Sequence, residues 1–376
     1  MRIGINARFL LKDKLEGIGW FSYETLIRIT NQHPEHEFYF FFDRPYDEEF
    51  IFSSNIKPVV LFPPARHPIL FYLFFEWSIT NALKKYKIDY FLSPDGFISL
   101  RTDVPTLAVI HDIAFEHRNN DVSQLMLKYY RYFFPKFAHK SARIATVSEY
   151  SKKDIIETYK IPDQKIDVVY NGANTIYEPV EPSTKYNIRK KYTNNCEYFI
   201  YVGSLNPRKN IANLLIAFNE FKKQKSNDIK MLIVGKIMFN DEHFKSIYES
   251  MEYKSDVIFT GRLSNEELHM TLASSLALVY IPFYEGFGIP VLEAFKCETP
   301  VITSNVTSLP EVANDAAIIV DPNNVNQIVN SMINILNEDV RENLKIKMRN
   351  RSIDFSWDKT ANLLWQSFEK IMSSNN

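Results

Sequence analysis

Two glutamates eight positions apart, Glu285 and Glu293, bracket the run Gly286-Phe287-Gly288-Ile289-Pro290. The apolar stretch Leu276–Ile281 before them predicts a buried parallel strand, and Pro290 suits a helix's first turn, where its missing N–H would be unpaired anyway. Strand, glycine turn and helix N-terminus in that order expose backbone N–H groups that favour anions and hydroxyl-bearing ligands. A second junction, Gly203-Ser204-Leu205-Asn206-Pro207-Arg208-Lys209-Asn210, sets two adjacent cations between a strand over Tyr198–Val202 and a helix over Ile211–Phe221. Arg208 as a planar fork and Lys209 as a point charge suit a diphosphate. The plain structural readings are a solvated basic turn, a solvated Glu285, and a Glu293 that only complements the helix dipole. Two anion-friendly junctions in one domain weigh against them.

Two further candidates lie upstream. His111-Asp112 closes a strand predicted over Thr106–His111, where a histidine either meets a substrate hydroxyl or proton, or is buried against a backbone carbonyl. A long loop after the first strand ends in Glu16-Gly17-Ile18-Gly19. Gly17 and Gly19 before a helix allow close approach to a diphosphate, or simply a turn. The loop is too long for a dinucleotide fingerprint, and Ser22 stands at its third position.

The elements that must position these residues alternate. Strands are predicted near Arg2–Asn6, Glu37–Phe42, Pro58–Leu61, Asp89–Leu92, Thr106–His111, Arg143–Val147 and Lys165–Tyr170, then near Tyr198–Val202, Lys230–Val234, Val257–Phe259, Leu276–Ile281, Pro300–Thr303 and Ala317–Val320. Such alternation with helices implies parallel sheets covered on both faces, an α/β architecture of two doubly wound domains. The stretch Asn171–Pro182 reads as the linker, giving domains over 1–177 and 178–356 and a closing helix over 357–376. Ser264-Asn265-Glu266-Glu267 has the form of a capping box after Gly261-Arg262. The chain has only 10 glycines, against roughly 26 at average usage. Gly203, Gly235, Gly261, Gly286 and Gly288 all fall at or soon after strand ends, where backbone approaches ligands.

At 376 residues, with 45% hydrophobic and 24% charged residues and a net charge of −1, the chain has no bulk attraction for nucleic acid. Cys196 and Cys297 suggest a reducing compartment, and the amino terminus reads directly as a strand, so a cytoplasmic protein is expected. No apolar run approaches the ~20 residues of a membrane-spanning helix. Two aromatic and basic stretches, Ile69–Trp77 followed by Lys84 and Lys85, and Met126–Lys136 followed by Lys140, either rest at a lipid headgroup boundary or form a core face with a solvated edge. Neither Asp-x-Asp nor HExxH occurs, so no metal is implied.

Taken together, Glu285–Ala294, Gly203…Arg208-Lys209-Asn210, Thr299–Thr303 and Leu309-Pro310-Glu311 resemble retaining glycosyltransferases of family 4. Arg2–Arg8, Gly17-Ile18-Gly19, Ile110-His111-Asp112, Thr146–Ser151 and Asn171-Gly172 match the same family in the same order. The resemblance implies a GT-B fold, two Rossmann-like domains facing across a cleft, with the final helix crossing back to the first. It implies that Arg208 and Lys209 bind the diphosphate of a nucleotide sugar, that Glu285 and the backbone of Gly286, Phe287 and Gly288 hold the transferred sugar, and that Glu293 bonds the ribose. His111 would sit by the sugar, Gly17 and Gly19 would border the diphosphate, and Gly203, Gly235 and Arg262 complete the expected donor-binding set. Trp20 stands where many relatives carry a basic residue.

The expected reaction is metal-independent hexose transfer with retention, and no cofactor beyond the donor substrate. The amino-terminal pattern resembles mannosyl- and rhamnosyltransferase-like members, which favours GDP-mannose over UDP-sugars, with a saccharide or lipid-linked saccharide acceptor in polysaccharide biosynthesis and peripheral contact with the membrane's inner face as a further expectation. A sugar-nucleotide epimerase and a catalytically silent subunit are the alternatives on this architecture.

Overall fold

The computed structural model describes residues 1–12, 14–119, 121–225, 227–236 and 242–374. The chain divides into two compact units, Met1–Gly172 with Ser356–Asn376, and Ala173–Phe355. In the first unit the strands are β1 (Arg2–Asn6), β2 (Glu37–Phe42), β3 (Ile56–Val60), β4 (Tyr90–Ser93), β5 (Thr106–Val109), β6 (Arg143–Thr146) and β7 (Ile166–Val168). All pair in parallel, in the order β3-β2-β1-β4-β5-β6-β7. Central strands are buried on both faces, which is why β4, β5 and β6 are short apolar runs without alternation.

In the second unit the strands are β8 (Tyr198–Val202), β9 (Lys230–Val234), β10 (Val257–Gly261), β11 (Ala277–Tyr280), β12 (Val301–Ser304) and β13 (Ile318–Val320). They too are parallel, ordered β10-β9-β8-β11-β12-β13. Each sheet therefore reverses its strand order once, between β1 and β4 and between β8 and β11.

Local chemistry sets several boundaries. The helix predicted to follow the glycine loop begins at Gly17 itself, so Gly17 and Gly19 lie inside its first turn rather than before it. Trp20 N–H donates to the Glu16 carbonyl at 2.8 Å and closes that turn. The strand predicted to reach His111 stops at Val109, leaving His111 on the following loop. Only half of the capping box forms. Ser264 Oγ accepts from Glu267 N at 3.2 Å, while the Glu267 carboxylate is taken by Tyr192 at 2.5 Å and by Lys191.

The aromatic stretch over 69–77 divides between core and surface. An α-helix over Pro68–Leu73 continues as a π-helical turn over Phe74–Ile79. Phe74, Phe75 and Ile79 enter the core with Phe91 and Phe97, whereas Ile69, Tyr72, Leu73 and Trp77 stay exposed. The helix Gln124–Lys140 lies beside it, with Tyr72 against Phe133 and Phe71 against Tyr129. The closing helix, Trp357–Ser374, packs on the helix Gly17–Gln32, where Arg28 Nε donates to Asp358 at 2.6 Å and Nη1 to Glu24.

Candidate active site

The second unit gathers its chemistry where β8 and β11 part. A 3-10 turn over Pro207–Lys209 follows β8, and Asn210, in the left-handed region at φ 61°, starts the helix Ile211–Gln224. The Asn210 amide donates to the carbonyls of Ile281 at 3.0 Å and Pro322 at 2.8 Å, tying this turn to the ends of two other strands. The Arg208 carbonyl accepts from Phe283 N at 2.8 Å, which docks the loop after β11 against the basic turn.

Glu285 is the centre of the cluster. Its Oε1 accepts from Arg208 Nη1 at 3.0 Å and from Lys209 Nζ, and Lys209 also donates to the Tyr280 hydroxyl at 2.7 Å. Lys209 keeps only 7% of its surface and Glu285 only 8%. Burial pushes the Glu285 carboxyl up, but Arg208 and Lys209, with hydrogen bonds from Lys209 and Tyr280, outweigh it and hold the group below the usual glutamate value. It is a carboxylate at neutral pH. Tyr201 stacks on Tyr280 with ring centres 6.2 Å apart; burial and then the Glu285 charge raise both phenols, so they remain protonated donors.

The turn that follows is built on its backbone. Glu285 N donates to Thr307 Oγ1 at 3.2 Å, and Ser308 Oγ donates to the carbonyls of Glu285 at 2.9 Å and Phe287 at 3.0 Å. Phe287 is buried against Phe355. Gly288, at φ 107°, caps the helix Ile289–Lys296. A Cβ there would lie 2.6 Å from Leu309 Cδ2. Gly203 and Gly235 cross where β8 and β9 end: a Cβ on Gly235 would fall 1.9 Å from the Gly203 carbonyl oxygen. Backbone approach at that point requires glycine.

Glu293 lies one turn into the helix, partly buried, where the Tyr177 hydroxyl hydrogen-bonds it. Burial pushes its carboxyl up to about 7 against that bond. Arg262 is exposed just beyond β10, two strands from β8.

Three expected residues belong to the first unit. His111 donates from Nε2 to the Pro94 carbonyl at 2.8 Å, since a carbonyl only accepts, and its ring meets Phe21 edge to face at 4.9 Å. The histidine is thus bonded to a backbone carbonyl, as one of the two readings of the sequence expects, and is still partly exposed. Burial lowers its pKa, opposed by the Pro94 carbonyl, Asp112 and Asp95. A neutral ring with Nε2–H leaves Nδ1 as the acceptor. Gly17 is exposed and Gly19 buried, its Cβ position 3.0 Å from the Phe9 carbonyl.

The structure brings together Arg208, Lys209, Glu285 and Gly286 to Gly288, and adds residues that motif reading passed over. Tyr280, Thr307 and Ser308 hold the cluster, and Tyr177 holds Glu293. The signal for Ser308 was a hydroxyl residue directly before Leu309-Pro310, a helix-start pattern. Tyr280 and Tyr177 have no local signal. Among the described residues, no group of three or more His, Cys, Asp or Glu side chains is arranged to hold a metal ion.

Such a site can neutralise a diphosphate with two cations beside a helix N-terminus, and present a carboxylate to hydroxyls. The profile described as Glycosyltransferase Family 4 matches residues 20–176, and that described as Glycosyl transferases group 1 matches residues 185–353. The chain is similar to O-antigen chain mannosyltransferase B of Escherichia coli, 29% identical over 283 residues that cover 74% of this chain and 73% of that one. Among solved structures, it resembles WaaG, a glycosyltransferase involved in lipopolysaccharide biosynthesis, with TM-score 0.75 and 13% identity over 97% of this chain and 99% of that one. It also resembles HepE of Anabaena in complex with UDP-glucose, with TM-score 0.73 and 16% identity over 98% of this chain and 100% of that one. With two parallel-sheet Rossmann-like units and family profiles over most of its length, the chain is a GT-B glycosyltransferase of the family 4 type.

Proposed function

We propose that this enzyme transfers mannose from GDP-mannose to a saccharide or lipid-linked saccharide acceptor, with retention and without a metal ion or other cofactor, in the synthesis of a bacterial-type surface polysaccharide. The observation that carries the reading is the Arg208–Glu285–Lys209 cluster at the strand reversal of the second sheet, beside the N-terminus of the helix Ile289–Lys296. Developing charge on the leaving nucleoside diphosphate is met there by Arg208 and Lys209, groups already in place before reaction. Glu285, held ionised, accepts hydroxyls of the transferred sugar, and Glu293 accepts hydroxyls of the ribose. Gly203 and Gly235 let the backbone approach the nucleotide, with Arg262 at the rim. In the first unit, His111 offers Nδ1 as an acceptor for a substrate hydroxyl. Similarity to an O-antigen mannosyltransferase supports mannose as the sugar.

The acceptor reaches the enzyme at a membrane. Ile69, Tyr72, Leu73, Trp77 and Tyr132 are exposed on two neighbouring helices, with Lys136 over the Tyr132 ring and Arg101 over the Trp77 ring. An apolar strip edged by cations fits an anionic bilayer surface.

Calorimetric titration with GDP, UDP, ADP and dTDP in EDTA tests the donor assignment. Selective binding of GDP is expected. Selective binding of UDP would replace the donor and keep the chemistry, and binding that needs a divalent metal, or none at all, would overturn the proposal. Nucleotide release that proceeds without any acceptor saccharide, giving an epimer, would favour the epimerase instead.

A further inference from the structure

The first sheet carries a counterpart of the Arg208–Glu285 pair at its own strand reversal. Ligands of open α/β sheets gather outside the carboxyl ends of the strands at that point. Arg8 stands two residues beyond β1 and Asp95 two residues beyond β4, the strands between which the order reverses. In the second sheet Arg208 and Glu285 follow β8 and β11, the equivalent first and fourth strands. Both units thus place an arginine and a carboxylate at the same topological position.

The first pair is built with care around one edge of the guanidinium. Asp95 Oδ1 accepts from Asn6 Nδ2 at 2.9 Å, from Ser93 Oγ at 3.0 Å and from Phe97 N at 3.0 Å, while Oδ2 accepts Arg8 Nε. With Oδ1 taken by three other donors, Asp95 holds Arg8 through Oδ2 and Nε alone. The guanidinium carbon lies 4.3 Å from the Phe97 ring centre, 4.8 Å from Phe9, 5.1 Å from Phe71 and 5.5 Å from Phe75. These rings cover its faces and restrict its rotation, so the N–H groups are aimed before any ligand arrives.

Arg8 then leaves its best donors unspent. It keeps only 6% of its surface, yet neither Nη has a hydrogen-bond partner among the described residues, and neither is sealed from solvent. Arg44, Arg143 and Arg349 grip carboxylates with Nε and Nη2 together. Arg2 and Arg28, like Arg8, meet one carboxylate with Nε alone, but each spends an Nη on a backbone carbonyl, which Arg8 does not. Tyr129 and Tyr130 pack on the same Phe97 ring that covers Arg8, with centres 6.2 and 6.0 Å from it, and their hydroxyls lack a protein partner among the described residues.

We propose that the Nη edge of Arg8, with the Tyr129 and Tyr130 hydroxyls as further donors, binds an oxyanion carried by the acceptor, a phosphate or a carboxylate. Naming the acceptor as the carrier rests on the glycosyl-transfer reading. The planar fork matches two oxygens of either anion, and the aromatic surround strengthens the contact by excluding water.

The test is calorimetric titration of the full chain, saturated with GDP to occupy the second unit, with methyl phosphate, methyl glucuronide and methyl mannoside. At least one anion should bind the wild type and the neutral mannoside should not. Arg8→Lys, which keeps the charge and loses the fork, should weaken that anion about tenfold. Arg8→Gln should abolish binding, with GDP affinity unchanged in both variants. Binding of methyl phosphate points to a phosphate-linked carrier, and binding of methyl glucuronide to an acidic sugar. Failure of both anions to bind the wild type, equal affinity in Arg8→Lys, or mannoside binding as tight as the anions would overturn the proposal. If Arg8→Gln does not fold, Arg8→Lys alone decides. Loss of GDP binding by the wild type would instead overturn the donor assignment and leave the anion titration readable.

Discussion

At the scale of single residues, the site is a set of charges that satisfy one another before a substrate arrives. Lys209 is nearly buried and bonded to Glu285 and Tyr280. Lys209→Ala should therefore weaken GDP binding by about 1.5–3 kcal/mol, the scale of a charge-assisted hydrogen bond. Calorimetry that returned wild-type affinity would remove Lys209 from the diphosphate site. Glu285→Gln should lower turnover more than GDP affinity, because GDP lacks the sugar assigned to Glu285. Steady-state rates and GDP titration on the same preparation separate the two, and equal losses would contradict that role. Glu293 gives a pH signature. Its carboxyl is raised from 4.5 to about 7 in the folded chain, so the fold holds a proton there that the unfolded chain has released. Stability from this group is complete below pH ~4.5 and falls by on the order of 3 kcal/mol as pH rises to ~7. Urea denaturation across that window should show the decline, and Glu293→Gln should flatten it.

At the scale of elements, glycines distinguish a turn that packing demands from one that a ligand uses. A Cβ on Gly235 would meet the Gly203 carbonyl oxygen at 1.9 Å, with φ at 147°. Gly235→Ala must part β8 from β9 at their ends, so its cost should reach or exceed the upper end of the ~0.5–3 kcal/mol of ordinary substitutions. Gly17 is the opposite case: it begins a helix, and a Cβ would meet nothing within 4 Å. Gly17→Ala should raise stability by up to ~1 kcal/mol through helix propensity and the smaller entropy of the unfolded chain. If Gly17 borders the diphosphate, thermal stability rises while turnover falls; a variant with full turnover would leave Gly17 as a helix start only.

At the scale of the whole molecule, the first unit is discontinuous in sequence. The chain leaves it at Gly172 and returns at Ser356, and a Cβ on Gly172 would lie 2.3 Å from the Trp357 nitrogen, so the departing and returning strands of chain touch. Thr360 Oγ1 then donates to the Tyr170 carbonyl at 2.6 Å, and Trp365 stacks on His33 with centres 3.8 Å apart. The same unit carries the exposed apolar strip. Because Ile69, Leu73 and Trp77 lie outside the core, with Trp77 52% exposed, changing all three to Ser should reduce sedimentation with anionic vesicles and leave the melting temperature nearly unchanged. A large loss of stability, or undiminished vesicle binding, would count against membrane docking. Among the described residues, no helix is long and apolar enough to cross a bilayer.

What the sequence alone determined is the set of elements and where they turn. Each strand of both sheets overlaps a stretch legible in the chain, and central strands such as β8 and β11 are unbroken apolar runs because strands buried on both faces leave little room for polar residues; edge strands such as β3 and β10 mix in polar, part-exposed positions. The Arg208-Lys209 and Glu285–Glu293 junctions were legible for a related reason: glycine, proline and charge at strand ends have few other uses. Helix starts were less legible, as at Gly17, because the residues on either side of a first turn look alike until its hydrogen bond is known. Partnership was not legible at all. Arg208 and Glu285 are 77 residues apart, Arg8 and Asp95 87, and each pair meets only because strand order within a parallel sheet places the first strand beside the fourth. That order, and with it the choice of Tyr280, Tyr177 and Arg8 as members of polar clusters, is set by how helices pack on the sheets. Packing depends on shape and burial summed over the whole chain, so no local stretch encodes it.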